Sequence, residues 1–192
     1  MALTDRRDAR TVGVAAASGT AAYVLGYLLV YVTQRRGVEE RLSAFNFMVD
    51  LFGSDPIPAW QGVGWLFYNA HFVDTEIPGF GGTRVENFIA ASDDGTLTLL
   101  YLVPPVLLLG AGFAAAFVAD VDDLGDGVPI GALVTVAYLP LAVVGAVAFA
   151  YSIGDGSIRP DLVTAVLLAG VVYPALFGAV GGALAGVVAG DS

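Results

Sequence analysis

His71 is the only histidine of the chain, and it stands close to Asp74 and Glu76. Imidazole beside carboxylate is the usual pairing for shuttling a proton or holding a metal ion. The chain has no cysteine, so a metal site there would rest on a single nitrogen donor, which is a poor ligand set. The expectation is therefore an interfacial histidine hydrogen-bonded to Tyr68, Asn69 or the backbone, with no metal and no cofactor. A second acidic group, Asp120, Asp122, Asp123 and Asp126, invites a calcium reading. Leu124 stands where an EF-hand loop needs an oxygen ligand and Gly131 where it needs the bidentate Glu, so a solvated acidic turn is expected instead. With no phosphate loop, dinucleotide fingerprint or serine nucleophile elbow in the sequence, no catalytic residue is assigned and an enzyme is the least supported class.

The elements that must position these groups are apolar. Hydrophobic residues make up 57% of the 192 and charged residues 14%. Four runs, 11–32, 97–119, 128–151 and 162–189, contain no Asp, Glu, Lys, Arg or His. Each supplies the ~20 residues, at ~1.5 Å rise, that cross a hydrocarbon core. The fold expected is all-α: an integral membrane four-helix bundle, one membrane domain over residues 1–192, multi-pass in the cell membrane. Runs without ionisable groups argue against a proton-coupled pump built from one copy. Arg6, Arg7 and Arg10 precede the first run, which exceeds the ~7–15 residues of a signal-peptide core and meets no small-x-small cleavage motif before Gln34 and Arg35. It is read as a retained first span.

Residues 34–96 form the one long connection, expected as a helical, partly interfacial loop subdomain. Over 38–52, Val38, Leu42, Phe45, Met48, Val49 and Phe52 share a face opposite Glu39, Glu40, Ser43, Asn46 and Asp50, which predicts an amphipathic helix against the membrane surface or the bundle. Pro56 and Pro58 then break the chain. The segment 59–73 carries Trp60, Trp65, Phe67, Tyr68 and Phe72, the mixture favoured at headgroup level, and is too short to span. It predicts a short helix, interfacial or dipping partly into the bilayer, with Trp60, Trp65, Tyr68 and His71 as its interfacial residues. Another short helix is expected over 84–91, with Asp93, Asp94 and Gly95 capping the start of the second run. The connections 120–127 and 152–161 are short enough to make antiparallel hairpins of the remaining runs.

In the fourth run, Gly170, Pro174, Gly178, Gly182, Gly186 and Gly190 recur at every fourth position. Overlapping G-x-x-x-G motifs open a groove in which a neighbouring backbone approaches closely, and a four-residue repeat drifts ~40° per step on an α-helix, which suits a right-handed crossing. Ser18, Ala22 and Gly26 offer a matching stripe in the first run, and Gly110 and Ala114 another in the second. The partner is thus either within the chain or in a second copy. Pro104, Pro105, Pro140 and Pro174 fall inside the runs and are expected to kink them, freeing carbonyls for hydroxyls or a cavity.

Eighteen acidic residues oppose eight arginines, with no lysine, for a net charge of −10. That balance disfavours nucleic acid and anionic lipid as partners. A lysine-free, Asp-rich, Ala/Val/Gly-rich chain resembles proteins of salt-adapted archaea. The run 64–73 (GWLFYNAHFV), after an amphipathic helix and before three tightly connected runs, resembles a small family of haloarchaeal four-span membrane proteins of unknown function, some labelled transporters. The resemblance implies a membrane fold over most of the chain and transfers no catalytic or binding residue. The function expected is non-enzymatic. One form is a small transport or permeation component acting as an oligomer, with Thr135, Tyr138, Thr164 and Tyr173 converging on a wet path. The alternative is an accessory or scaffold subunit that binds another membrane protein through the glycine face and the aromatic loop. The partners expected are the lipid bilayer and either further copies or another membrane protein.

Overall fold

Nothing between residues 33 and 37 stops the first helix. Thr33 bonds back to the Leu29 carbonyl at 2.8 Å, Arg35 pairs with Glu39 one turn on at 2.8 Å, and no proline intervenes. The computed structural model accordingly has one 50-residue helix, α1 (Ala2–Leu51), where a span and a separate amphipathic helix were expected. At ~1.5 Å per residue α1 is roughly 75 Å long, more than twice a hydrocarbon core of about 30 Å. The structure describes residues 2–51, 55–79, 81–93 and 95–190, with side chains from residue 9. Phe52 and Asp94, and the side chains of Arg6 and Arg7, lie outside the described residues.

Pro58, in an extended conformation, precedes α2 (Ala59–Asn69). The segment after it is not helical. Gly81 and Gly82, at φ 102° and 134°, turn a hairpin of β1 (Thr75–Gly79) and β2 (Gly82–Glu86), so a strand occupies the start of the helix expected over 84–91. A 3-10 segment, Leu97–Leu102, leads into α3 (Val103–Val118). The third run is interrupted. It forms α4 (Leu124–Ala132), whose N-cap Asp123 accepts the Asp126 N–H at 3.0 Å, and then α5 (Thr135–Ala148). A second hairpin, β3 (Tyr151–Ile153) and β4 (Gly156–Pro160), fills the expected tight turn. The single turn α6 (Leu162–Thr164), a π-helical segment Ala165–Val172 and α7 (Tyr173–Gly190) complete the chain.

The two hairpins join through β1 and β4 into a four-stranded antiparallel sheet of order β2-β1-β4-β3, with Thr75 opposite Pro160 and Glu76 opposite Arg159. The fold is therefore mostly helical with a small sheet, and the all-α expectation is corrected on that point. Four helical stretches, Ala9–Leu51, Leu97–Val118, Leu124–Ala148 and Leu162–Gly190, are long and apolar enough to cross a membrane. In the packing, α7 lies against α3 and α4, while α1 packs on α2, α3 and α5. The buried positions of α3, from Pro104 to Ala116, recur seventy residues later in α7, from Pro174 to Gly186.

Three of the four prolines expected to kink the runs stand at changes of helix type. Pro104 and Pro105 fall where the 3-10 segment gives way to α3, and Pro174 where the π segment gives way to α7, so each missing N–H coincides with a change of hydrogen-bond pattern inside a continuous helical stretch. The π segment ahead of Pro174 gives its ring room against the preceding turn. Pro140 does lie inside α5, yet the interruption of that run falls at residues 133–134.

Candidate functional site

The chemistry-bearing residues of the long connection gather on α2, which runs back along α1 and wedges between α1 and α5. Glycines make that possible. A Cβ on Gly62 would come 2.7 Å from the Val38 side chain, one on Gly64 would overlap the Phe149 ring, and Gly26 of α1 leaves room for the Phe67 ring. The wedge is then pinned by its polar atoms. Trp65 donates its indole N–H to the Phe149 carbonyl at 2.8 Å, Gln61 its amide to the Ala150 carbonyl at 2.7 Å, and Tyr27 its hydroxyl to the Trp60 carbonyl at 3.1 Å. Trp65, Tyr68 and His71 are buried in protein, and Trp60, 42% exposed, is the one of the four expected interfacial residues that faces outward.

The lower end of α2 is shaped by a left-handed residue. Phe72, at φ 57°, donates its N–H to the Asn69 carbonyl while Val73 donates to Tyr68, the bond pattern of a Schellman ending normally built on glycine. The Phe72 ring stacks on Tyr101 at 4.5 Å, which holds the conformation. Asn69 fastens the turn to β1 and to the segment beyond β2. Its amide donates to the Val73 carbonyl at 2.8 Å and to the Thr75 hydroxyl at 3.3 Å, and its oxygen accepts the Phe88 N–H at 2.9 Å.

This turn drives His71 into the core beside Tyr138 and Tyr173. Nδ1 lies 2.8 Å from the Phe67 carbonyl, which can only accept, so that nitrogen carries the proton. The neutral ring then accepts from the Tyr138 hydroxyl at Nε2, also at 2.8 Å. Burial lowers the pKa of His71 to about 4, against the opposing pull of the Phe67 carbonyl, and the ring is neutral near pH 7. Tyr68 donates its hydroxyl to the Ala142 carbonyl, so Tyr23 is the donor in the 3.1 Å bond between the two hydroxyls. Burial pushes the Tyr68 phenol well above its ordinary value, with the neighbouring Tyr23 adding to it. The two bonded pairs touch through rings, Tyr23 on Tyr138 at 5.2 Å, rather than through a hydrogen bond. They form a satisfied polar core, with neither a free base nor a continuous proton path among these groups.

Of the two acidic residues expected near His71, Glu76 turns its carboxylate elsewhere and Asp74 is tied through its backbone. Glu76 pairs with Arg159 across the sheet at 2.8 Å, and the Asp74 carbonyl accepts the Asp161 N–H at 2.9 Å. Partial burial raises the Asp161 carboxyl, and the Thr164 hydroxyl and N–H outweigh it, so the group is held below its ordinary value as the cap of α6.

On the outer side of α2 a cavity of about 270 Å³ opens against α1. Gln34, Gly37 and Arg41, three and four positions apart on α1, form one wall, and Trp65, Phe88 and Leu97 stand among the residues of the other. That spacing is present in the sequence, but it straddles the expected end of the first span and so does not stand out as one helix face.

A family of unknown function (DUF7978) matches the chain over residues 2–189. The chain belongs to that family. No curated protein and no solved structure matches it. In this DUF7978 chain the glycine repeat faces inward. A Cβ on Gly178 would come 2.5 Å from the Gly131 carbonyl, one on Gly182 would overlap the Gly127 carbonyl, and one on Gly186 the Asp123 carbonyl. The seam thus joins α7 to α4, while Gly112 of α3 closes on Gly178 from another side. Gly170 packs on Leu139, and Gly190 approaches only the Asp122 carbonyl at 3.7 Å. Ala22 is buried and Ser18 half-buried, but Gly26 faces Phe67 and Leu107, so the stripe on α1 is not the partner of the glycines on α7. Gly127 and Gly131 do meet them, and in the sequence these two are masked by Pro129 between them. Of the hydroxyls expected on a wet path, Tyr138 is bonded to His71, Thr164 to Asp161, the Tyr173 ring lies 5.2 Å from His71, and the buried Thr135 hydroxyl has no protein partner among the described residues.

Proposed function

We propose that this protein is a multi-pass component of the cell membrane, without catalysis of its own, that works by binding within the membrane as an accessory subunit rather than by conducting solute. One observation carries the reading: the Tyr138 and Thr164 hydroxyls, two of those expected to line a path, are tied to His71 and Asp161 inside the protein. A water-lined route needs polar groups that face it, and these do not. The glycine seam is filled by the chain's own α4, and the α1–α2 cleft offers an apolar cavity with polar groups at its rim for binding. The lysine-free acidic composition favours a salt-adapted host, where such a surface stays hydrated.

A second reading, transport, draws on the break between α4 and α5 and on the π segment, because interrupted helices often line transport sites. Reconstitution separates the two. Vesicles carrying the purified protein should release glycerol, urea and monovalent ions no faster than protein-free vesicles, and the protein should run as a single subunit in native lipid particles. Saturable, protein-dependent flux of any of these would overturn the accessory reading in favour of transport.

A further inference from the structure

We propose that the cleft between α1 and α2 binds one anionic membrane lipid, its acidic headgroup on Arg41 and Gln34 and part of one apolar chain in the cavity against Trp65 and Phe88. The inference deepens the reading of a protein that binds within the membrane and rests on it.

The cavity's two polar side chains on α1 are both uncommitted. Neither the Arg41 guanidinium nor the Gln34 amide makes a hydrogen bond or ion pair among the described residues, whereas Arg35, Arg84 and Arg159 are each held by a glutamate. The rest of the lining is apolar or carries its polar atoms elsewhere, since the Trp65 indole N–H is already given to Phe149. A free guanidinium at the rim of an apolar cavity fits a ligand with an acid at one end and hydrocarbon behind it. The level is also right. Gln34 lies just past the apolar run 11–32, so the cleft begins where hydrocarbon gives way to headgroups, the zone in which indole rings are favoured.

The chain's net charge of −10 weighs against a broad anionic surface and not against one headgroup. At physiological ionic strength a charge is felt over roughly 8 Å, and nearby charges decide. Glu39 is neutralised by Arg35, and neither Glu39 nor Glu40 lines the cavity.

Trp65 supplies the readout. It becomes the only tryptophan in a Trp60→Phe background, and bromine on a lipid chain quenches an indole only in contact with it. The full-length protein would be reconstituted in zwitterionic vesicles containing an equal fraction of either brominated phosphatidylglycerol or brominated phosphatidylcholine. The expected result is a roughly tenfold preference for the anionic lipid, the scale of one charge-assisted contact. Arg41→Gln should abolish the preference. Gly37→Leu should abolish quenching by both lipids, because a Cβ there meets nothing within 4 Å and the side chain grows into the cavity while helix propensity improves. Equal quenching of the parent by both lipids, or a preference that survives either substitution, overturns the proposal. Those outcomes leave the flux measurement untouched, so a failed lipid site and a failed binding role remain distinguishable.

Discussion

Replacing His71 by Gln tests whether the buried imidazole sets the acid limit of this fold. The ring is fully buried, with Nδ1–H on the Phe67 carbonyl and Nε2 accepting from Tyr138. Its pKa is lowered by burial from 6.5 to about 4, so between those values the unfolded chain takes up a proton that the folded chain refuses. Stability must then rise with pH across that window: it is complete above the unfolded value and is lost as pH falls toward the folded one. The gap, at ~1.36 kcal/mol per pH unit, amounts to about 3 kcal/mol. A glutamine side chain offers an N–H to Phe67 and an oxygen to Tyr138 and does not titrate, so it should keep much of the bonding and remove the dependence. Unfolding free energies of both proteins, measured in the same lipid discs at neutral pH and at about pH 4, isolate the effect, because the other acidic groups are common to the two. The parent should lose about 3 kcal/mol more than the variant on acidification. Parallel losses would refute the assignment of a neutral, acid-sensitive His71.

Gly182→Ile should disrupt the α4–α7 seam, where even a Cβ overlaps the Gly127 carbonyl, at a cost of about 3 kcal/mol or more, without changing subunit number. Gly110→Ile, where a Cβ meets nothing within 4 Å, should stay within about 0.5 kcal/mol in the same thermal melts. Asn69→Ala removes three side-chain bonds and should cost roughly 2–4 kcal/mol, with faster amide exchange at Phe88 read by mass spectrometry. Phe72→Gly relieves the left-handed backbone as it loses the Tyr101 stack, so it should be less destabilising than Phe72→Ala by about 1 kcal/mol, the reverse of the order in a helix interior.

The helical stretches are legible in the sequence because hydropathy is a local property: four uncharged runs need no knowledge of their neighbours. The placement of 59–73 is not, since aromatic residues mark a membrane interface and a packed core equally well. What decides is the Phe149 ring received by Gly64, and the Tyr138 hydroxyl that meets His71 from 67 positions away. The same limit explains the glycine repeat. Its geometry announces a close helix contact, while its partner, Gly127 and Gly131 on either side of Pro129, can be recognised only once α4 lies antiparallel to α7. The prolines are visible in the sequence, whereas the 3-10 and π segments beside Pro104 and Pro174 are not, because a change of hydrogen-bond pattern leaves no mark in a string of apolar letters.

These differences share a direction that bears on function. Features that read as surfaces, the glycine face and the aromatic loop, turn inward and hold the fold, and the loop's Tyr68 and His71 are satisfied there. A side chain already matched to a neighbour has little free energy to offer a ligand, because binding would first break a bond of similar strength. Arg41 and Gln34 are in the opposite state: they stand beside an apolar hollow with their donors unmatched among the described residues. A contact made there exchanges hydrogen bonds to water and leaves the packed protein bonds intact, and that difference favours the α1–α2 cleft for binding over the residues whose chemistry first stands out in the sequence.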